Sequence, residues 1–265
     1  MLLLLVSCAI SVTAQKNELV TKGDNFVLCS SSSLRDTFWE KFFPTYKKPL
    51  SDTEIVDSAF NCYKKAADAG NYEALVKLGV LWWMKCSYNN VNARVYFENA
   101  IRISKQRQLN QRETHCLGFA YYGLAICEAK DESTISNVGM EYLKMASDLE
   151  CEFAQINYAR STNVPKPEKI RILEKIVDND KCFYTAKDAL YLLGVIAYND
   201  KEYDKAYRYF KKNDEKYGHE RAQMICSYWD GSKKNRNYVA RHISFRYVDG
   251  LSNTYNSARN LIIYM

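Results

Sequence analysis

Apolar and polar positions along this chain follow a period near 3.6 rather than the alternation of a half-buried strand, so the pattern predicts helices. Two signatures carry it. The first is a run built on a Leu-Gly pair: EALVKLGVLWW, Glu73 to Trp83, returns 115 residues later as DALYLLGVIAY, Asp188 to Tyr198, with five identical positions. The pair's position recurs as Leu78-Gly79, Tyr122-Gly123, Tyr158-Ala159, Leu193-Gly194 and Cys226-Ser227, at steps of 44, 36, 35 and 33 residues. The second signature is small-x-x-x-large-x-x-small: Ala59, Tyr63, Ala66; Ala93, Phe97, Ala100; Gly139, Leu143, Ala146; Ala206, Phe210, Asn213. Self-similarity at this period predicts an array of helical hairpins, because one hairpin cannot bury its apolar face alone.

The small residues have a physical reading. Two helices approach to about 8–10 Å only where a small side chain stands at the crossing, and a large residue four positions on covers the next turn. Gly79, Gly123 and Gly194 are expected to supply that notch on one helix, and Ala59, Ala93, Gly139 and Ala206 on the other. Glycine inside a helix costs about 1 kcal/mol relative to alanine, so three at one helical position point to packing. Tyr63, Phe97, Tyr142 and Phe210 are then core residues at the crossings. Composition agrees: 47% hydrophobic, 26% charged, 10 Gly and 4 Pro describe a globular, mostly helical chain.

With these residues in place, the stretch Ala189 to Phe210 resembles a tetratricopeptide repeat, with Leu193, Gly194, Ala206 and Phe210 at that family's packing positions. CYKKAADAGNYEALVKLG, Cys62 to Gly79, is similar to the sister Sel-one-like repeat. The resemblance covers about Asp52 to Gly231 and weakens where Ala159 and Ser227 replace glycine. It implies an all-α fold, a right-handed α/α solenoid of about five helix-hairpin repeats with capping segments, whose concave groove holds a protein or peptide. By the same resemblance the groove-facing positions are Glu73, Val76, Val80 and Trp83 in the first repeat and Asp188, Tyr191, Val195 and Tyr198 in the fourth. Arg160, Arg221 and Tyr228 occupy corresponding sites. Aromatics and Arg are the usual anchors of interfaces. For Trp83 and Tyr198 a second reading stands beside this one, in which they only fill the core.

The ends of the chain set its expected compartment and boundaries. MLLLLVSCAISVTAQ carries no side-chain charge, is apolar for about a dozen positions and ends with Val12 and Ala14 before Gln15, which predicts a signal peptide over residues 1–14. A transmembrane anchor needs roughly 20 apolar residues and the run stops short of that. A lipoprotein reading at Cys8 is open, although no Lys or Arg precedes it. Export to a periplasmic or extracellular location follows from the signal. Residues 15–51 are expected to form an N-terminal cap, with a loop at Cys29 to Ser33 and a helix over Phe38 to Phe43; the repeats span 52–231. Residues 232–265 form a basic C-terminal cap: from Lys233 to Met265 there are six Lys and Arg against one Asp, five of the chain's net +6.

Export changes the reading of the cysteines. Beyond Cys8 eight remain, an even set that favours disulfides in an oxidising compartment. Their spacing is not regular within the repeats, so pairing is argued from position. Cys116 and Cys151 fall near the starts of successive Leu-Gly helices, and Cys86 and Cys127 near the ends of two neighbouring ones. The expected bridges are Cys116–Cys151 and Cys86–Cys127. No Cys-x-x-Cys exists and His115, His219 and His242 are scattered, so no metal or cofactor is expected.

No phosphate loop, nucleophile elbow, zinc-protease motif or dinucleotide fingerprint is present, and no catalytic role is expected. The sequence therefore predicts an exported scaffold or adaptor that binds a protein or peptide. The alternative is a module that binds an anionic envelope component, lipopolysaccharide or a cell-wall glycan, through the basic C-terminal segment; nucleic acid is not an expected partner.

Overall fold

The computed structural model describes residues 2–30, 39, 41–43, 50–85, 90–131, 134–229, 262 and 264–265. Among them are eleven helices: α1 (Leu2–Cys29), α2 (Asp52–Asp68), α3 (Tyr72–Lys85), α4 (Asn90–Gln106), α5 (Gln111–Cys127), α6 (Asn137–Asp148), α7 (Glu152–Arg160), α8 (Lys166–Asn179), α9 (Phe183–Asn199), α10 (Tyr203–Tyr217) and α11 (Glu220–Tyr228). One short β-pair, Ala129–Asp131 with Thr134–Ile135, precedes α6. The helices fall into two compact units, α1 to α6 in the first and α7 to α11 in the second.

Local chemistry sets the boundaries. Ser51 caps α2 in a capping box, its hydroxyl accepting from the Glu54 N–H and its own N–H donating to Glu54 Oε2 at 2.8 Å. Asn110 and Glu113 make the same reciprocal pair at α5. Helices α8 and α10 end on residues in the left-handed conformation, Asp180 at φ 45° and Gly218 at φ 57°. No described helix is long and apolar enough to cross a membrane.

Consecutive helices pack in sequence order within each unit, and alternate helices also touch, α3 on α5 and α7 on α9. Within a unit the odd-numbered helices thus form one layer and the even-numbered helices another, the arrangement expected of stacked hairpins. The glycines sit where the pattern placed them, but their role differs from the expectation. A Cβ on Gly79 would lie 2.5 Å from Phe97 Cε1, and one on Gly194 would lie 2.6 Å from Phe210 Cε1. The notch receives the ring of the next helix instead of a facing small residue. Phe97 also closes on Gly123, so a single ring is wedged between the glycines of α3 and α5.

The same joint appears once more, before the point at which the pattern begins. Gly23 of α1 receives the Tyr63 ring of α2, and Val20, Phe26, Val27 and Cys29 are buried. Residues 15–29, expected to be part of a cap with a loop from Cys29, are the first helix of a further hairpin. Helix α1 packs directly on α2, although residues 31–38, 40 and 44–49 of the connection lie outside the described residues. Helix α1 runs unbroken through Ala14 and Gln15, the expected cleavage point.

The expected cysteine clamps are not seen. Cys116 and Cys151 are buried thiols. Cys151 Cβ lies 3.3 Å from the position a Gly118 Cβ would take, and residues two apart on a helix point about 200° apart, so Cys151 faces the wrong side of α5 for Cys116. Cys127 is a half-buried thiol, and its expected partner Cys86 lies outside the described residues. Burial pushes Cys116 and Cys127 up to about 12, which keeps both protonated and unreactive at neutral pH.

Candidate functional site

Two polar constellations lie on odd-numbered helices, one in each unit. In the first unit Asp24 of α1, Glu73 and Lys77 of α3, and Arg112 of α5 form a chain of ion pairs. Lys77 is 1% exposed, yet its Nζ lies 2.7 Å from Asp24 Oδ1 and 2.9 Å from Glu73 Oε1. Tyr63 donates to the same Asp24 oxygen at 2.6 Å. Arg112 grips Glu73 with two parallel bonds, Nε to Oε2 at 2.5 Å and Nη2 to Oε1 at 2.9 Å. Burial pushes the Glu73 carboxyl up, but Arg112 and Lys77 more than reverse it and hold it below the usual range. Three successive odd helices are stitched together by this chain.

Beside it a cavity of about 550 Å³ opens between α1, the α2–α3 turn and the start of α5. Lys16, Asn17, Asn71, Glu73, Asn110 and Arg112 line much of it. Polar and apolar surface share its wall about equally, in contrast to the core beneath, because α3 and α5 present their N-terminal ends there, where backbone N–H groups and capping side chains gather.

In the second unit the sequence-derived positions Arg160, Asp188, Tyr191 and Arg221 come together. Arg160, Asp188 and Arg221 belong to α7, α9 and α11; Tyr191 of α9, expected to face the groove, is only 8% exposed and belongs to the apolar cluster of Val195, Phe210 and Ile225. Burial pushes the Asp188 carboxyl up, and the charges of Arg160, Lys187 and Arg221 offset this only in part. Tyr191 is raised by burial and lowered by Arg221 and Arg160. Its ring stacks flat on His219, with centroids 4.8 Å apart and planes 1° from parallel. His219 Nδ1 accepts from the Ala222 N–H at 3.3 Å and so caps α11. Burial, with Lys187 and Arg221 adding to it, pulls His219 down to about 4, leaving a neutral ring at pH 7.

The remaining expected groove residues divide. Val76, Val80 and Val195 are buried and belong to the core. Tyr198 packs edge-on against Tyr203 at 5.4 Å and Trp229 at 5.8 Å, within the apolar cluster of Ala206, Phe210 and Ile225. That placement favours the core reading for Tyr198. Trp83 is half-buried, and Tyr228 is exposed on α11. Lys16, Asp24, Lys77 and Arg112 were missed by sequence reasoning. Asp24 sits next to Gly23 in a helix the repeat spacing does not reach, and Lys77 occupies a position whose counterpart in the other Leu-Gly run is Leu192. A lysine at an otherwise apolar repeat position was the available signal.

Among the described residues no three His, Cys, Asp or Glu side chains gather in a metal-binding arrangement. No protein-family model, curated protein or solved structure matches this chain. The helical-repeat reading therefore rests on the periodicity and on the glycine–ring joints themselves.

Proposed function

We propose that the chain is a helical-repeat binding module, a right-handed solenoid of the tetratricopeptide or Sel-one-like kind, that holds an extended segment of a protein partner on the odd-numbered helices of its second unit. The observation that supports this is the gathering of Arg160, Asp188, Tyr191 and Arg221 from three different helices. Tyr191 is itself only 8% exposed and packs on Phe210, so the groups offered to the polar backbone and charged side chains of a peptide are Arg221, which is exposed, and Arg160 and Asp188, which are half-buried. Export as a scaffold or adaptor, after cleavage behind Ala14, belongs to the same proposal; Gln15 to Cys29 would keep Gly23 and the described buried residues of α1.

A random peptide library selected on the full chain tests it. Peptides recovered are expected to lose at least ten-fold in affinity, about 1.4 kcal/mol, when Arg160→Ala or Arg221→Ala is introduced. Affinity unchanged by both, but lost in the Lys233→Gln, Lys234→Gln, Arg236→Gln triple variant, would transfer the function to the basic C-terminal segment.

A further inference from the structure

The cavity of the first unit has a composition that selects its ligand. We propose that it binds a small hydroxyl-bearing oxyanion, of the class of sugar phosphates and sugar acids, with Lys16 and Arg112 meeting the anionic group. This goes beyond the peptide reading and concerns the other unit.

Charge is the first argument. Three carboxylates line the cavity, Asp24, Glu73 and Glu113, and each is already engaged. Lys77 reaches Asp24 and Glu73 from behind, itself 1% exposed and outside the lining. Arg112 holds Glu73, and Arg107 holds Glu113 through a bond from Nη1 at 2.8 Å and a second from Nη2 at 2.5 Å. Four cations, Lys16, Lys77, Arg107 and Arg112, thus face three carboxylates, an excess of one positive charge. The carboxylates are consumed by cations other than Lys16, which stands at the wall as the surplus. Arg112 spends Nε and Nη2 on Glu73 and keeps Nη1, on a side chain 68% exposed. An oxyanion is the group that satisfies both, through charge-assisted hydrogen bonds.

The polar lining and the size give the rest of the class. Asn71 and Asn110 turn their oxygens onto helix N–H groups, Ala74 at 2.9 Å and Glu113 at 2.9 Å, which leaves their NH2 groups as donors. One hydrogen of the Asn71 amide reaches Asn17 Oδ1 at 3.4 Å, and the second remains for a ligand. Thr21 spends its hydroxyl hydrogen on Asn17 O at 3.0 Å and keeps lone pairs as acceptors. Helices α3 and α5 begin at the cavity, and their N-termini add positive potential. A volume of about 550 Å³ falls within the range of small-molecule sites, and a bare phosphate would leave most of it to water. Donors and acceptors on a wall that also carries Lys16 and Arg112 fit a molecule with several hydroxyls and one anionic end; an apolar ligand would strand those groups.

Calorimetric titration of the full chain with glucose 6-phosphate, glucuronate, glucose, inorganic phosphate and the tripeptide Gly-Gly-Glu tests the proposal. At least one sugar anion is expected to bind ten-fold or more tightly than glucose and than inorganic phosphate, and to lose ten-fold or more in both Lys16→Gln and Arg112→Gln. Arg112 also steadies Glu73, so circular dichroism accompanies each variant; if Arg112→Gln unfolds, Lys16→Gln alone decides. The proposal is overturned if neither sugar anion binds, if glucose or inorganic phosphate binds as well as they do, if Lys16→Gln leaves affinity unchanged, or if Gly-Gly-Glu binds more tightly than either. None of these results bears on the Arg160 and Arg221 surface, so the two readings fail separately.

Discussion

His219 shows how one residue can serve a fold through being neutral. It caps α11 and stacks on Tyr191, and burial, with Lys187 and Arg221 beside it, disfavours its charged form. Its folded pKa of about 4 lies below the unfolded value of roughly 6.5. The unfolded chain therefore binds the proton first, and stability present above about pH 6.5 is lost as pH falls toward 4. His219→Asn keeps a side-chain acceptor for the cap and removes the titration. Urea denaturation at pH 7.5 and pH 5 is expected to show wild-type protein losing more stability between the two than the Asn variant does. Equal losses would mean that the ring is not held neutral by its surroundings.

At the scale of the element, the glycine–ring joint is the repeating device. Gly79 with Phe97, Gly194 with Phe210 and Gly23 with Tyr63 place an aromatic face directly against a helix backbone, and Phe97 does so twice through Gly123. Filling the notch must displace the ring. Gly194→Leu is expected to destabilise by about 1–3 kcal/mol through overpacking, whereas Arg208→Leu on the exposed side of α10 should be nearly silent in thermal denaturation. The joint also predicts coupling: Phe210→Leu should relieve part of the cost of Gly194→Ala, giving a double-mutant interaction energy of about 0.5 kcal/mol or more. Strict additivity of the two changes would argue that ring and glycine do not share the same space.

At the scale of the unit, the buried lysine decides how three odd helices are held. Lys77 links α1 to α3, and Glu73 passes the link to Arg112 on α5. Removing one partner of such a network leaves the others charged and poorly solvated. Lys77→Met is expected to cost about 3–5 kcal/mol, toward the lower end because Asp24 keeps some access to water. Replacing the carboxylates as well, in the variant Lys77→Met, Asp24→Asn, Glu73→Gln, should recover much of that loss, since neutral groups of the same shape carry no stranded charge. Chemical denaturation of the single and triple variants at pH 7 makes the comparison. A triple variant less stable than the single one would show that Lys77 acts by packing alone.

The sequence by itself determined what depends on local spacing. Period-3.6 patterning and glycines recurring at one helical position act within a turn or two of their own residues, so they can be read without coordinates. It also named Arg160, Asp188, Tyr191 and Arg221, which lie within electrostatic reach of one another in the second unit, although Tyr191 is buried in the core. The tertiary structure decided everything that depends on which helix a side chain meets. It turned the glycines from crossing points into sockets for rings, and moved Tyr198 into an aromatic cluster with Trp229. It added a first hairpin through Gly23 and Tyr63, forty residues apart in the chain. It joined Asp24, Lys77 and Arg112, which share no motif and no period. A buried charge network of that kind has no sequence signature, because its energy comes from desolvated neighbours brought together only once the helices have packed.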